Sequence, residues 1–255
     1  MAPEELRIMQ QEIDAAVEER ARIHRLLEKA DGPIYDGVAD ERAYLSSAQR
    51  VLWLLLEPYD DGDSGGGGWS IVKDVFLKPK PSDPVNPTQQ TVAYSMWCAR
   101  HKDLFSNAPS QELVYPELQS IAWVNMSKMP AVSRSITQEV VAKYNANWKD
   151  IVERQITLLA PDVVIVAGYH FNALCGKGVF GGDSGCERCF PKDGDSLVDL
   201  HRCANFAVLY TDHPAYWTNP FHAKRRPTLT QETYVNAIAE ALCFLRGAEF
   251  SDVVK

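Results

Sequence analysis

The sequence predicts an α/β protein: a three-layer α/β/α sandwich around a central, mostly parallel four-stranded sheet, with an extra N-terminal helix. Three observations carry this expectation. Four short apolar runs are spaced along the chain. Each is near-continuously apolar, as in a strand buried on both faces. Helical patterns separate them, which suits right-handed crossovers between parallel strands. A chain of 255 residues is long enough to bury such a core.

Residues 3–30 read as one long helix, because Leu6, Met9, Ile13, Ala16, Ile23 and Leu27 recur at steps of three and four. Asp31-Gly32-Pro33 stops it. This divides the chain into an N-terminal helix, 1–32, and an α/β domain, 33–255. The strands are "RVLWLLLE" (50–57), "SIAWVN" (120–125), "DVVIVAG" (162–168) and "FAVLYT" (206–211). Helical patterns occupy 89–105, 137–160 and 169–176, and a last helix, 230–247, closes the chain. Two glycine-rich loops stand out, at 60–70 and 180–196.

Composition narrows the function. Hydrophobic content of 45% and charged content of 24% are those of an ordinary globular protein. No apolar run approaches the ~20 residues of a membrane span. The N-terminus lacks a signal-peptide core, so a cytoplasmic protein is expected. A net charge of −8 argues against a protein that coats nucleic acid, yet leaves room for one that grips a few phosphates through the local "HAKRRP" cluster (222–227). The run "SGGGGW" (64–69) lacks the Lys-Ser/Thr of a phosphate-binding loop, and "GGDSG" (181–185) lacks the spacing of a nucleophile elbow. Hydride and phosphoryl transfer lose ground accordingly.

In parallel α/β sheets, ligands bind beyond the carboxyl ends of the strands. The first strand runs into Glu57-Pro58-Tyr59-Asp60, the second ends at Asn125, and the fourth ends in Asp212-His213-Pro214. The third ends in Gly168, which suits close chain packing. A carboxylate, an amide and an imidazole are thereby expected on one rim.

The order of these features resembles the uracil-DNA glycosylase superfamily over roughly residues 50–240. It comprises "EPY" after the first strand, a glycine-rich loop leading to Trp69-Ser70, the strand-ending Asn125, "LAPDVVIVAG", and "HPAYWTNPFHAKRRPTLTQETY". The resemblance implies a monofunctional DNA glycosylase that hydrolyses the N-glycosidic bond of a flipped pyrimidine. It implies His213 as donor to the departing base and Glu57 as the acid beside the attacking water, with Asp60, Asp61 or Asp63 able to take that role. It implies Asn125, Trp69, Tyr59 and Ser70 around the base, and Tyr216, Trp217, Lys224, Arg225 and Arg226 on the DNA.

The sequence departs from the family pattern in places. Glu57 stands where the best-known members carry Asp or another carboxylate arrangement. Some members hold an iron–sulfur cluster, but Met129 occupies the relevant neighbourhood and no N-terminal cysteine pair exists. No cofactor is expected. The tetraglycine Gly65–Gly68 suggests room for an enlarged, modified pyrimidine, as in viral DNA, whereas Tyr59 resembles a family residue that blocks the ring's 5-position. Uracil and a modified pyrimidine both stay open, as do roles in repair and in defence. The six cysteines read as free thiols, and the alternative is a structural zinc site at Cys186, Cys189, His201 and Cys203. No metal is assigned. The expected partner is DNA, with no membrane, and the expected state is a monomer. Two other readings are a catalytically silent nucleobase- or DNA-binding relative and a glycosidase on free nucleosides.

Overall fold

A computed structural model describes residues 1–24, 30–58, 60, 66–77, 86–108, 114–131, 142–168, 187–190, 197–218 and 228–247. Tyr59, Asp61, Asp63, Lys224, Arg225, Arg226, Cys186 and the expected helix at 169–176 lie outside the described residues. The strands are β1 (Gly37–Val38), β2 (Val51–Leu55), β3 (Ala122–Asn125), β4 (Val163–Ala167), β5 (Glu187–Phe190), β6 (Val198–Arg202) and β7 (Ala207–Thr211). The main helices are α1 (Pro3–Ile23), α2 (Glu41–Ser46), α3 (Pro87–His101), α4 (Val114–Gln119), α5 (Lys149–Leu159) and α6 (Gln231–Leu245). π-helical turns cover Ile71–Phe76 and Tyr144–Trp148.

The strands form one mixed seven-stranded sheet in the order β1–β3–β2–β4–β7–β6–β5. The four expected strands, β2, β3, β4 and β7, are adjacent and parallel. The expectation of a four-stranded sheet is corrected by three antiparallel strands at the margins. They escape an apolar-run search for a physical reason. β1 has two residues, and β6 alternates buried and partly exposed positions because only one of its faces is well covered.

Period-two alternation along the parallel strands divides the core into two layers. Val51, Trp53 and Leu55 of β2, with Ile165 of β4 and Leu209 of β7, face α3, α4 and α6. Leu52 and Leu54, with Val164 and Val208, face α1, α2 and α5. Trp53 is fully buried, which explains why this strand reads as continuously apolar.

α1 is part of the second layer and not an appendage. Leu6, Ile13, Val17 and Ala21 are buried on its inner face. Arg20 grips Asp150 of α5 through paired bonds of 2.9 and 2.7 Å. Gln10 treats the sheet edge as a neighbouring strand would: its Nε2 donates to the Val38 carbonyl at 3.2 Å, and its Oε1 accepts from the Val38 N–H at 2.6 Å. An open strand edge is a site of unwanted pairing, and here a helix covers it. Gly37, at φ +129°, permits the approach, since a Cβ there would fall 2.0 Å from Gln10 Oε1.

Candidate functional site

Registers fix which residues meet at the carboxyl rim. Val124, Leu54, Val166 and Tyr210 form one row across β3, β2, β4 and β7. Pairing continues past the strand ends, where Ser127 N donates to Leu56 O at 3.0 Å and Gly168 N donates to Thr211 O at 3.0 Å. Glu57 follows β2 by two residues and His213 follows β7 by two residues, and β4 lies between those two strands. Asn125 lies two residues deeper, on the far side of β2. The strand order reverses direction between β2 and β4, and ligands of open α/β sheets bind at such a switch point. Gly168 ends β4 there, where a Cβ would meet the Leu56 side chain at 2.9 Å.

β7 delivers His213 to the rim, and the chain then turns. Tyr216 N donates to the His213 carbonyl at 2.9 Å, and the Ala215 N–H donates to His213 Nδ1 at 3.2 Å. A ring nitrogen that accepts a bond is unprotonated, so the proton of the neutral imidazole is on Nε2. Burial pushes the His213 pKa down to about 4. The ring is therefore neutral at pH 7, with an N–H donor at Nε2. Two anchors brace this loop. Tyr234 of α6 donates its hydroxyl to the Asp212 carbonyl at 2.8 Å, and Trp217 Nε1 donates to Thr91 Oγ1 of α3 at 3.1 Å. The Tyr216 ring lies 5.7 Å from the His213 ring.

The carboxylates differ in their occupation. The Glu57 side chain is only 4% exposed and pairs with the largely exposed Lys143 at 3.5 Å. Asp60 Oδ2 accepts from Gly67 N at 2.9 Å and from Trp69 Nε1 at 2.7 Å, so this acid staples the glycine-rich loop. The loop packs on the segment before β1, with Asp31 N donating to Gly66 O at 2.9 Å and Gly68 N to Pro33 O at 3.0 Å. Gly67, at φ +91°, is required there, because a Cβ would fall 2.0 Å from the Gly32 carbonyl oxygen. Gly66 and Gly67 thus serve chain packing, whereas Gly68 lines a cleft beside Trp69.

Other expected site residues have structural partners. Ser70 is buried and caps the π-helical turn: its Oγ accepts from Lys73 N at 3.2 Å, while its own N–H donates to Asp74 Oδ2 at 2.8 Å. Trp69 lines a cleft of about 450 Å³ with Tyr35, Lys73 and the α1 residues Gln11, Asp14 and Glu18. Trp217 is pinned to α3 by its indole N–H, which leaves Tyr216 as the ring beside the imidazole. The free-thiol expectation is corrected at Cys203, which is disulfide-bonded, while Cys98, Cys189 and Cys243 are free. A disulfide sulfur is no thiolate ligand, so the zinc alternative loses one of its four donors. Among the described residues, no group of three His, Cys, Asp or Glu side chains is placed to hold a metal. No helix among them is long and apolar enough to cross a membrane.

One feature escaped the sequence reading. Asp36, buried just before β1, receives Lys128 Nζ at 2.7 and 2.8 Å and Gln155 Nε2 at 2.9 Å. It also receives the backbone N–H of Asn125 at 2.7 Å and its side-chain Nδ2 at 3.2 Å. Lys128 Nζ donates further to Gln155 Oε1 at 3.0 Å. Burial lowers the Lys128 pKa, and the Asp36 carboxylate opposes that shift. The partners lie 92 residues apart, so no local pattern announces them. Comparison with protein-family models and with curated proteins finds no match.

Proposed function

We propose that the protein is a monofunctional DNA glycosylase, hydrolysing the N-glycosidic bond of a pyrimidine nucleotide turned out of the DNA and leaving an abasic site. The observation that carries this reading is the state of His213: neutral, half-buried, and with its only ring proton on Nε2. When the C1′–N1 bond breaks, both electrons leave with the base, and negative charge gathers on its O2. A fixed donor there stabilises that anion without surrendering its proton. The neutral ring is suited to this, since Nδ1 is already committed to the Ala215 N–H.

Glu57, just past the end of β2 and two strands from β7, supplies the complementary charge. Its carboxylate favours the cationic sugar and orients the water whose oxygen bonds to C1′. Lys143 pairs with it at 3.5 Å. Tyr216 offers a stacking surface next to the imidazole, and Asn125 forms the deeper floor. Turning the nucleotide out costs a few kcal/mol, less for a mispaired or damaged base. The resemblance to the uracil-DNA glycosylase superfamily in "EPY", Asn125 and His213-Pro214 agrees with these roles. Uracil and a modified pyrimidine are both candidate substrates.

A second reading is favoured by one observation. Glu57 is paired with Lys143, and Asp60 holds the loop, so the water-activating acid is already engaged. A silent nucleobase-binding relative would tolerate that. Incubation with single-stranded oligonucleotides carrying one deoxyuridine separates the two, with free uracil measured by mass spectrometry. Base release supports the enzyme. Saturable binding with no abasic sites supports the silent relative.

A further inference from the structure

Asn125 carries one acceptor and two donor positions on its side chain, and an amide can present them in either of two flipped orientations. Its surroundings choose one. Both Asp36 oxygens accept from nitrogen donors, on Lys128, Gln155 and the Asn125 backbone, so the Asn125 Nδ2 faces them and Oδ1 faces away. Asp36 cannot rotate to escape this role, because Lys128 and Gln155 hold its two oxygens and the Asn125 backbone N–H takes a further position. Gln155 is fixed in turn, its oxygen accepting from Lys128 and its nitrogen donating to Asp36. Asn125 Oδ1 accepts no hydrogen bond from a described residue, and the residue as a whole is 2% exposed.

We propose that Asp36 is a positioning residue that locks the Asn125 amide in one orientation and thereby sets the polarity of the ring edge the site accepts. The inference rests on the glycosylase reading. With Oδ1 outward and one N–H beside it, the amide matches a ring edge that donates from nitrogen and accepts on the adjacent exocyclic oxygen. That is the edge of uracil. The flipped amide would match the reverse pattern, an unprotonated ring nitrogen beside an exocyclic amine, as in cytosine. Asp36 excludes the flip because it has no proton to offer.

The test uses single-stranded oligonucleotides containing deoxycytidine, with or without one deoxyuridine, incubated with wild type and with Asp36→Asn. Asparagine at 36 can donate or accept, so both orientations of Asn125 become available. The uracil-to-cytosine release ratio is expected to fall about tenfold to a hundredfold, the worth of one bidentate base contact. Because Asp36→Asn leaves Lys128 buried without a counter-charge, Asp36→Asn with Lys128→Met is measured in parallel, and folding is checked by near-ultraviolet circular dichroism. An unchanged ratio in either folded variant overturns the proposal. In the wild type, the Asn125 side-chain amide resonances, assigned by their loss in Asn125→Asp, should show one proton protected from exchange. If both exchange as in a free amide, the lock is absent, whatever the variants do. Wild type that releases neither base, while showing the protected proton, overturns the glycosylase reading and leaves the anchoring intact.

Discussion

His213 shows how burial and one hydrogen bond set the protonation state of a side chain. Moving the ring from water toward the core disfavours its cation, and the Ala215 N–H then selects the tautomer. The sign of the pH effects follows. The pKa falls from the ordinary 6.5 to about 4, so the unfolded chain binds the extra proton first as pH drops. Stability from this group is complete above about pH 6.5 and is lost as pH falls toward 4. Base release should show no titration near pH 6.5 and should decline only near 4, where a second ring proton would confront the Ala215 N–H. A pH–rate profile with a midpoint near 6.5 would contradict this. The buried pair gives a second residue-scale prediction. Lys128→Met strands the Asp36 charge and should cost about 3–5 kcal/mol in urea unfolding, and a loss below about 1 kcal/mol would contradict the pairing. At this scale the sequence was partly legible. His213 before Pro214 marked a strand tip from composition alone, whereas the Asp36–Lys128 contact spans 92 residues and carries no local signal.

Among the elements, the buried parallel strands were the most legible. Residues such as Val163 to Ala167 are buried on both faces, so their sequence cannot alternate, and that continuity is visible in a string. Marginal strands obey weaker constraints. β6 buries Val198 and Leu200 but leaves His201 and Arg202 partly or largely exposed, which reads as loop when viewed alone. The N-terminal helix was legible as a helix but not in its attachment. Its periodicity announced an apolar face, but nothing local announced that Gln10 would pair with the edge strand or that Arg20 would grip α5. This attachment predicts the outcome of truncation. Removing residues 1–24 uncovers the second core layer and the β1 edge together, so the remainder should lose its cooperative thermal transition or aggregate. A truncated chain that melts like the full protein would contradict the placement of α1.

For the whole molecule, the strand order reverses between β2 and β4, the place where ligands bind in open α/β sheets. Glu57 and His213 follow the two strands that flank β4, and Asn125 pairs with Leu55 of β2. The chain order of these three residues gave no measure of depth; only the strand register places Asn125 two residues further in. The most direct measurement is the rate at which free uracil leaves a single-stranded oligonucleotide with one deoxyuridine, for wild type and for His213→Ala. The account predicts release by the wild type and a loss of about two to three orders of magnitude in the variant, the usual cost of one fixed donor to a developing anion. DNA binding should survive the substitution. Equal rates in the two proteins would contradict it.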